Sequence, residues 1–214
     1  MHNILCYGDS NTWGVDTEKE NKRIGYEKRW TQIMAGNLDK DYHVIEEGLP
    51  GRTTVFEDPF GYGRHGEKYF EIALLSHVPI DLLIVMLGTN DMKDIYNATA
   101  EDSAKGVERI IIKAKSLFSE CFVNEFKILI VSPIQLSQPI DGNWYYGFSE
   151  KSVEKSKQLA EHYRRVAELH GCEFLDAAQY AKASVYDGVH IAGKDNERLG
   201  KEMAEKVKKI LVNI

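Results

Sequence analysis

Leu82-Leu83-Ile84-Val85-Met86-Leu87-Gly88-Thr89-Asn90-Asp91 opens with six apolar residues and stops at a glycine. A run apolar throughout, without alternation, is what a central strand covered on both faces requires. Three more short apolar runs lie at residues 3–7, 43–47 and 127–132, and a shorter candidate at 172–176. Between them the apolar residues recur at helical spacing: Trp30, Ile33, Met34 and Leu38; Val107, Ile110, Ile111, Ala114, Leu117 and Phe118; Val153, Ala160, Tyr163, Val166 and Ala167; Leu199, Met203, Val207, Ile210 and Leu211. Strands alternating with amphipathic helices predict an α/β fold, a three-layer α/β/α sandwich around a mainly parallel five-stranded sheet. No repeat or linker interrupts the pattern, so residues 1–214 are expected to form a single domain.

Composition narrows the function classes. With 43% hydrophobic and 28% charged residues and a net charge of −6, the chain reads as an ordinary soluble protein. Its basic residues are dispersed, which argues against a nucleic-acid partner. No secretory leader is evident, and no apolar run approaches the ~20 residues that span a bilayer. Cys6, Cys121 and Cys172 are widely spaced and odd in number, which suits neither a disulfide framework nor a zinc site. A cytoplasmic location is the expectation. Residues 55–70 and 135–149 mix Gly and Pro with many aromatics, and long loops of this kind wall substrate pockets or subunit interfaces, or fold back on their own domain. They exceed what a minimal domain needs, so assembly into a homo-oligomer is expected.

In open α/β sheets, chemistry collects beyond the carboxyl ends of the strands. The first run ends in Gly8-Asp9-Ser10-Asn11-Thr12-Trp13-Gly14, which presents Ser10 as a candidate nucleophile there. A serine hydroxyl needs a base, and of the seven histidines His190 stands out, in the turn Asp187-Gly188-Val189-His190 with a carboxylate three residues upstream. Asp187 can hold one imidazole nitrogen and leave the other for Ser10, or it can serve simply as a turn residue. Acyl transfer also needs donors for an oxyanion. Asn90 follows the central strand and offers its amide, and Gly51, after the second strand, offers an unobstructed N–H. As plain turn and cap residues these signals would mean little; together they supply complementary parts to one sheet edge.

Four blocks, Gly8-Asp9-Ser10-Asn11-Thr12, Gly48-x-x-Gly51, Gly88-x-Asn90-Asp91 and Asp187-x-x-His190, resemble those of the SGNH hydrolases, also called GDSL esterases/lipases, in family order over nearly the whole chain. Gly-Asp-Ser-x-Thr-Trp-Gly, Arg29-Trp30, Val44-Ile45-Glu46-Glu47-Gly48-Leu49 and Gly51-Arg52-Thr53-Thr54 are similar to the arylesterase/acyltransferase branch. The resemblance implies a flavodoxin-like SGNH fold and a serine esterase for small carboxylic esters, with acyl transfer to alcohols or peroxide as a further outlet. It implies Ser10 as nucleophile, His190 as base, Asp187 as orienting acid, and an oxyanion hole from the Ser10 N–H, the Gly51 N–H and the Asn90 side chain. Trp13 is expected to wall the substrate pocket, and no metal or cofactor is required. Glu47, where many members carry Asn, marks the branch and takes no catalytic role. A carbohydrate O-deacetylase is the rival within the family. A flavodoxin-like phosphate- or flavin-binding module lacks a Walker lysine and G-x-G-x-x-G. A metal-dependent phosphatase would draw on Asp9, Asp91, Asp187 and His190. The G-x-S-x-G elbow of α/β hydrolases does not occur around Ser10.

Overall fold

A computed structural model of the chain describes residues 1–18, 22–121 and 126–211; the side chain of Cys121 lies outside the described set. Five strands, β1 (His2–Gly8), β2 (Tyr42–Gly48), β3 (Leu82–Met86), β4 (Lys127–Ser132) and β5 (Glu173–Asp176), pair in the order β2-β1-β3-β4-β5. Every pairing is parallel. This order reverses direction between β1 and β3, and the crevice outside that reversal is where open α/β sheets bind ligands. Gly8 stands level with Gly48 on one side and Met86 on the other. The segments that follow these three strands therefore leave the sheet from one edge.

The alternation of strand side chains divides the core in two. Leu5, Tyr7, Leu83, Val85, Ile128 and Ile130 face one layer, built from α3 (Gly66–Leu75), α4 (Ala100–Cys121) and α6 (Leu159–His170). Ile4, Cys6, Leu82, Ile84, Met86, Leu129 and Val131 face the other, built from α2 (Trp30–Gly36) and α7 (Asp195–Leu211). The predicted stripes supply the helix side: Val107, Ile110, Ile111 and Ala114 from α4, and Leu199, Met203, Val207 and Ile210 from α7. Each such fully buried aliphatic or aromatic side chain contributes roughly 1.5–3 kcal/mol of transfer free energy.

Two expectations need adjusting. The third stripe is split, since α5 (Glu150–Ser156) ends before α6 begins and Val153 belongs to the shorter helix. The aromatic segment also gives way to α3 at Gly66, short of residue 70. Glycine reads as a breaker, but here it opens a helix, at a position where a Cβ would stand 2.4 Å from the Thr53 carbonyl oxygen. His65 caps that helix by accepting the Lys68 N–H. Among the described residues no helix is long and apolar enough to cross a membrane.

Candidate active site

Immediately after β1 the chain turns into the one-turn helix α1 (Ser10–Trp13). Asp9 caps it, accepting the Asn11 N–H at 2.9 Å, and Gly14 closes it at φ +89°. Gly8 makes the turn tight enough that a Cβ there would meet Thr12 Oγ1 at 2.0 Å. Ser10 is thus held at the first helical position, 4% exposed.

From the far end of the chain, His190 Nε2 lies 3.0 Å from Ser10 Oγ, and its Nδ1 lies 2.7 Å from Asp187 Oδ2. The other carboxylate oxygen, Asp187 Oδ1, accepts the N–H groups of Val189 and His190 at 2.9 and 3.0 Å. Each oxygen of Asp187 thus has its own partner, Oδ1 the turn and Oδ2 the imidazole. Burial opposes its ionisation, but the His190 hydrogen bond and charge and the two N–H donors outweigh it and leave the carboxyl below its usual range. Gly188, at φ +69°, would place a Cβ 1.9 Å from the Ser137 carbonyl oxygen, so the turn admits only glycine there.

Asn11 is a site residue that sequence reasoning missed. Its Oδ1 accepts the Ile191 N–H at 2.8 Å, and its Nδ2 donates to the Val189 carbonyl at 3.5 Å. One amide next to the nucleophile thus grips the backbone on both sides of the histidine. Local sequence carries no sign of this, because the partners lie about 180 residues apart.

The three expected donors come to the same edge. Among the described residues, the Ser10 and Gly51 N–H groups make no hydrogen bond within the protein. Gly51 sits at φ +83°, where a Cβ would meet Arg64 Nε at 2.7 Å. Asn90 Nδ2 donates to the Arg52 carbonyl at 3.1 Å, which fixes the amide and leaves its second N–H. Arg52 in turn donates to the Gly8 carbonyl at 2.9 Å, with its guanidinium 4.1 Å from the Tyr7 ring centroid. One residue thereby ties the ends of all three strands together.

Asp91 is fully buried and takes a structural place. It accepts the Thr54 N–H and hydroxyl at 2.9 and 2.5 Å and the Ser103 hydroxyl at 2.7 Å. Burial pushes its carboxyl upward in spite of these bonds. Asp9 is also buried, and burial lifts its carboxyl to about 6 against the opposing pull of the Asn11 N–H and His190. Thr89 lies alongside Asp9, yet neither Asp9 Oδ2 nor Thr89 Oγ1 completes a hydrogen bond. Among the described residues, no group of three or more His, Cys, Asp or Glu side chains could hold a metal ion. Asp9, Asp91, Asp187 and His190 do not converge on one point in that sense.

Both aromatic loops reach the site. Tyr145 stands edge-on to His190 with ring centroids 5.1 Å apart, and Tyr146 contacts Phe60 of the other loop at 6.3 Å. Burial, then the Asp187 charge, raises the Tyr145 phenol. Trp13 is half-buried at the end of α1, with the Arg23 guanidinium 5.2 Å from its ring centroid. Glu47 pairs with His77 at 2.8 Å and lies 4.0 Å from Arg52, a structural use of its charge.

A flavodoxin-like sheet whose switch point carries a Ser–His–Asp relay and free N–H donors defines the acylhydrolase class of site. The sequence profile of the GDSL-like lipase/acylhydrolase family matches residues 6–196. The structure superposes on a carbohydrate acetylesterase from Sinorhizobium meliloti with a TM-score of 0.90 and 35% identity, covering 99% of this chain and 100% of that one. It superposes equally on an inhibitor-bound aryl esterase from M. smegmatis, with a TM-score of 0.91, 34% identity and the same coverage. A member of the lipolytic G-D-S-L family from Veillonella parvula shares the fold at 18% identity and a TM-score of 0.70. No curated protein sequence matches significantly. The chain belongs to the GDSL-like lipase/acylhydrolase family, the SGNH hydrolases.

Proposed function

We propose that the protein is a carboxylic-ester hydrolase that cleaves short esters through an acyl-Ser10 intermediate. The observation that carries this reading is the relay of 3.0 Å from Ser10 Oγ to His190 Nε2 and 2.7 Å from His190 Nδ1 to Asp187. Ser10 Oγ attacks the ester carbonyl as His190 Nε2 takes its proton. The oxyanion is held by the Ser10 and Gly51 N–H groups and the Asn90 amide, each donor being worth about 3 kcal/mol in the transition state. The carbonyl–alkoxy bond then breaks, and His190 returns the proton to the departing alcohol. Water attacks the acyl-enzyme, gives its proton to His190 and releases the acid, while Ser10 regains its hydrogen. An alcohol or a peroxide in place of water yields acyl transfer by the same steps. Tyr145 over His190, with Trp13 as a second wall, favours small acyl groups.

The likeness to the S. meliloti acetylesterase supports a second reading at the same site, removal of acetyl groups from carbohydrates. A serine-reactive phosphonate should label Ser10 and abolish hydrolysis of 4-nitrophenyl acetate, and Ser10→Ala should be inert yet folded. Retained turnover in a folded Ser10→Ala protein overturns the proposal. Acetylated sugars and simple acyl esters, assayed with and without added alcohol, separate the two readings and reveal transfer.

A further inference from the structure

Three residues beyond Asn90, Lys93 is only 7% exposed. Among the described residues its ammonium makes no hydrogen bond or ion pair, and Nζ is not one of the fully enclosed unpartnered atoms. The stem is enclosed, and the ammonium keeps slight solvent contact without an ion-pair partner. Gly147 covers the stem, since a Cβ there would lie 3.4 Å from Lys93 Cγ and Cδ, and Nζ stands 5.6 Å from the Phe148 ring centroid. Phe148 neighbours Tyr145 at 6.4 Å, and Tyr145 contacts His190, so two aromatic contacts link the Lys93 segment to the catalytic histidine's surroundings.

Buried charges are ordinarily paired, because an isolated ammonium loses hydration without compensation. Neither carboxylate around Lys93 forms an ion pair with it. Asp58 is hydrogen-bonded to Arg64 and accepts the Phe60 N–H at 2.8 Å, and Asp9 caps α1 beneath Ser10. Arg64, the second cation in reach, packs against Gly51. Of the two cations only Arg64 is ion-paired among the described residues, with Asp58, and Asp9 uses one oxygen to cap α1. Burial lowers the Lys93 ammonium, Asp58 and Asp9 counter it, and Arg64 adds to the depression.

We propose that Lys93, backed by Arg64, is an anion subsite of the ester-binding mouth, and that preferred substrates are short esters bearing a carboxylate on their acyl or alcohol side. This rests on the esterase reading above and specifies its substrate class.

Two matched pairs test it. On the acyl side, the 4-nitrophenyl monoester of butanedioic acid is compared with 4-nitrophenyl pentanoate. On the alcohol side, 4-acetoxybenzoate is compared with its methyl ester. In one pair, kcat/KM should favour the anionic member by about tenfold or more, the worth of one charge-assisted hydrogen bond. Added salt should erode the preference. Lys93→Gln and Lys93→Met should reduce the ratio toward one, and Lys93→Arg should retain it. Each ratio is read within one variant, so a general loss of activity cancels. The proposal is overturned if the wild-type ratio is at or below one in both pairs, or if Lys93→Gln leaves it unchanged. If the Lys93 variants fail to fold, the wild-type ratios and competitive inhibition by free benzoate or butanedioate decide. Hydrolysis of 4-nitrophenyl acetate without anion preference sinks only this inference; no Ser10-dependent hydrolysis at all sinks the esterase reading.

Discussion

Asp187→Asn separates the two jobs of one carboxylate. Asp187 Oδ1 holds the turn through two N–H groups, and Oδ2 receives the proton-bearing Nδ1 of His190. An asparagine can keep its oxygen on the N–H groups, and then its amide nitrogen faces Nδ1. Two donors cannot share that 2.7 Å contact, so the imidazole shifts its hydrogen to Nε2. Nε2 then donates to Ser10 and can no longer accept its proton. The imidazolium also loses its counter-charge. Together these should lower kcat by roughly 10³–10⁴-fold, about 4–5.5 kcal/mol of barrier, with KM little changed. Stability should fall by less than about 1 kcal/mol because the turn survives. Asp187→Ala should add the loss of both turn bonds, about 1–3 kcal/mol of stability. The assay is initial-rate hydrolysis of 4-nitrophenyl acetate beside urea unfolding of each variant. A kcat for Asp187→Asn within about tenfold of wild type, or equal destabilisation by Asn and Ala, refutes the division of labour.

Asn90→Ala should cost roughly 10²–10³-fold in kcat, the usual loss for one oxyanion donor, and should strip the Arg52 carbonyl of its 3.1 Å partner; an unchanged kcat removes Asn90 from the oxyanion hole. Asn11→Ala should lower kcat by about tenfold or more while leaving KM near its original value, since it frees the backbone around His190 without touching the substrate; slower phosphonate labelling in proportion to kcat is the check, and parallel loss of folding alone would count against it. Asp9→Asn concerns pH. The Asp9 carboxyl titrates at about 6 in the folded chain against 3.8 as an ordinary carboxyl. Between those values the folded state keeps a proton that the unfolded state has lost, so stability from this group declines as pH rises through the window. Urea midpoints should therefore move in favour of Asp9→Asn between about pH 4 and about pH 7; a constant difference would contradict the buried, raised carboxyl.

The core and the chemistry were legible to different degrees, for physical reasons. β1, β3 and β4 announce themselves because both faces are covered, and an unbroken apolar run has no other use. β2 is weaker, since it carries Glu46 and Glu47, and the ion pairs of Glu46 with Arg23 and Arg29 at 2.9 and 2.8 Å and of Glu47 with His77 at 2.8 Å explain why a strand tolerates them. Ser10, Gly51, Asn90, Asp187 and His190 were readable because each sits at a strand end or turn with local punctuation. Asn11, Arg52, Arg64 and Lys93 were not. Their importance lies in partners far along the chain, and a polar residue in a loop shows nothing of that in its neighbours.

Placement of the donors is itself a consequence of the core. Gly8, Gly48 and Met86 are level because the alternating side chains of β1, β2 and β3 must all face the correct layer. A slip of β2 by one residue would turn Val44 and Glu46 to the opposite face and move Gly51 by about 3.3 Å. That displacement exceeds the tolerance of an oxyanion contact, so hydrophobic patterning fixes the position of the N–H proposed for the oxyanion. The Asp187–His190 turn has no such register to rely on. Its hold on Ser10 comes from the bridge between Ala183 and Ile191 and from the Asn11 amide. Substitutions in the sheet core should therefore weaken oxyanion binding together with stability, whereas those at the turn should uncouple the base from an otherwise intact fold.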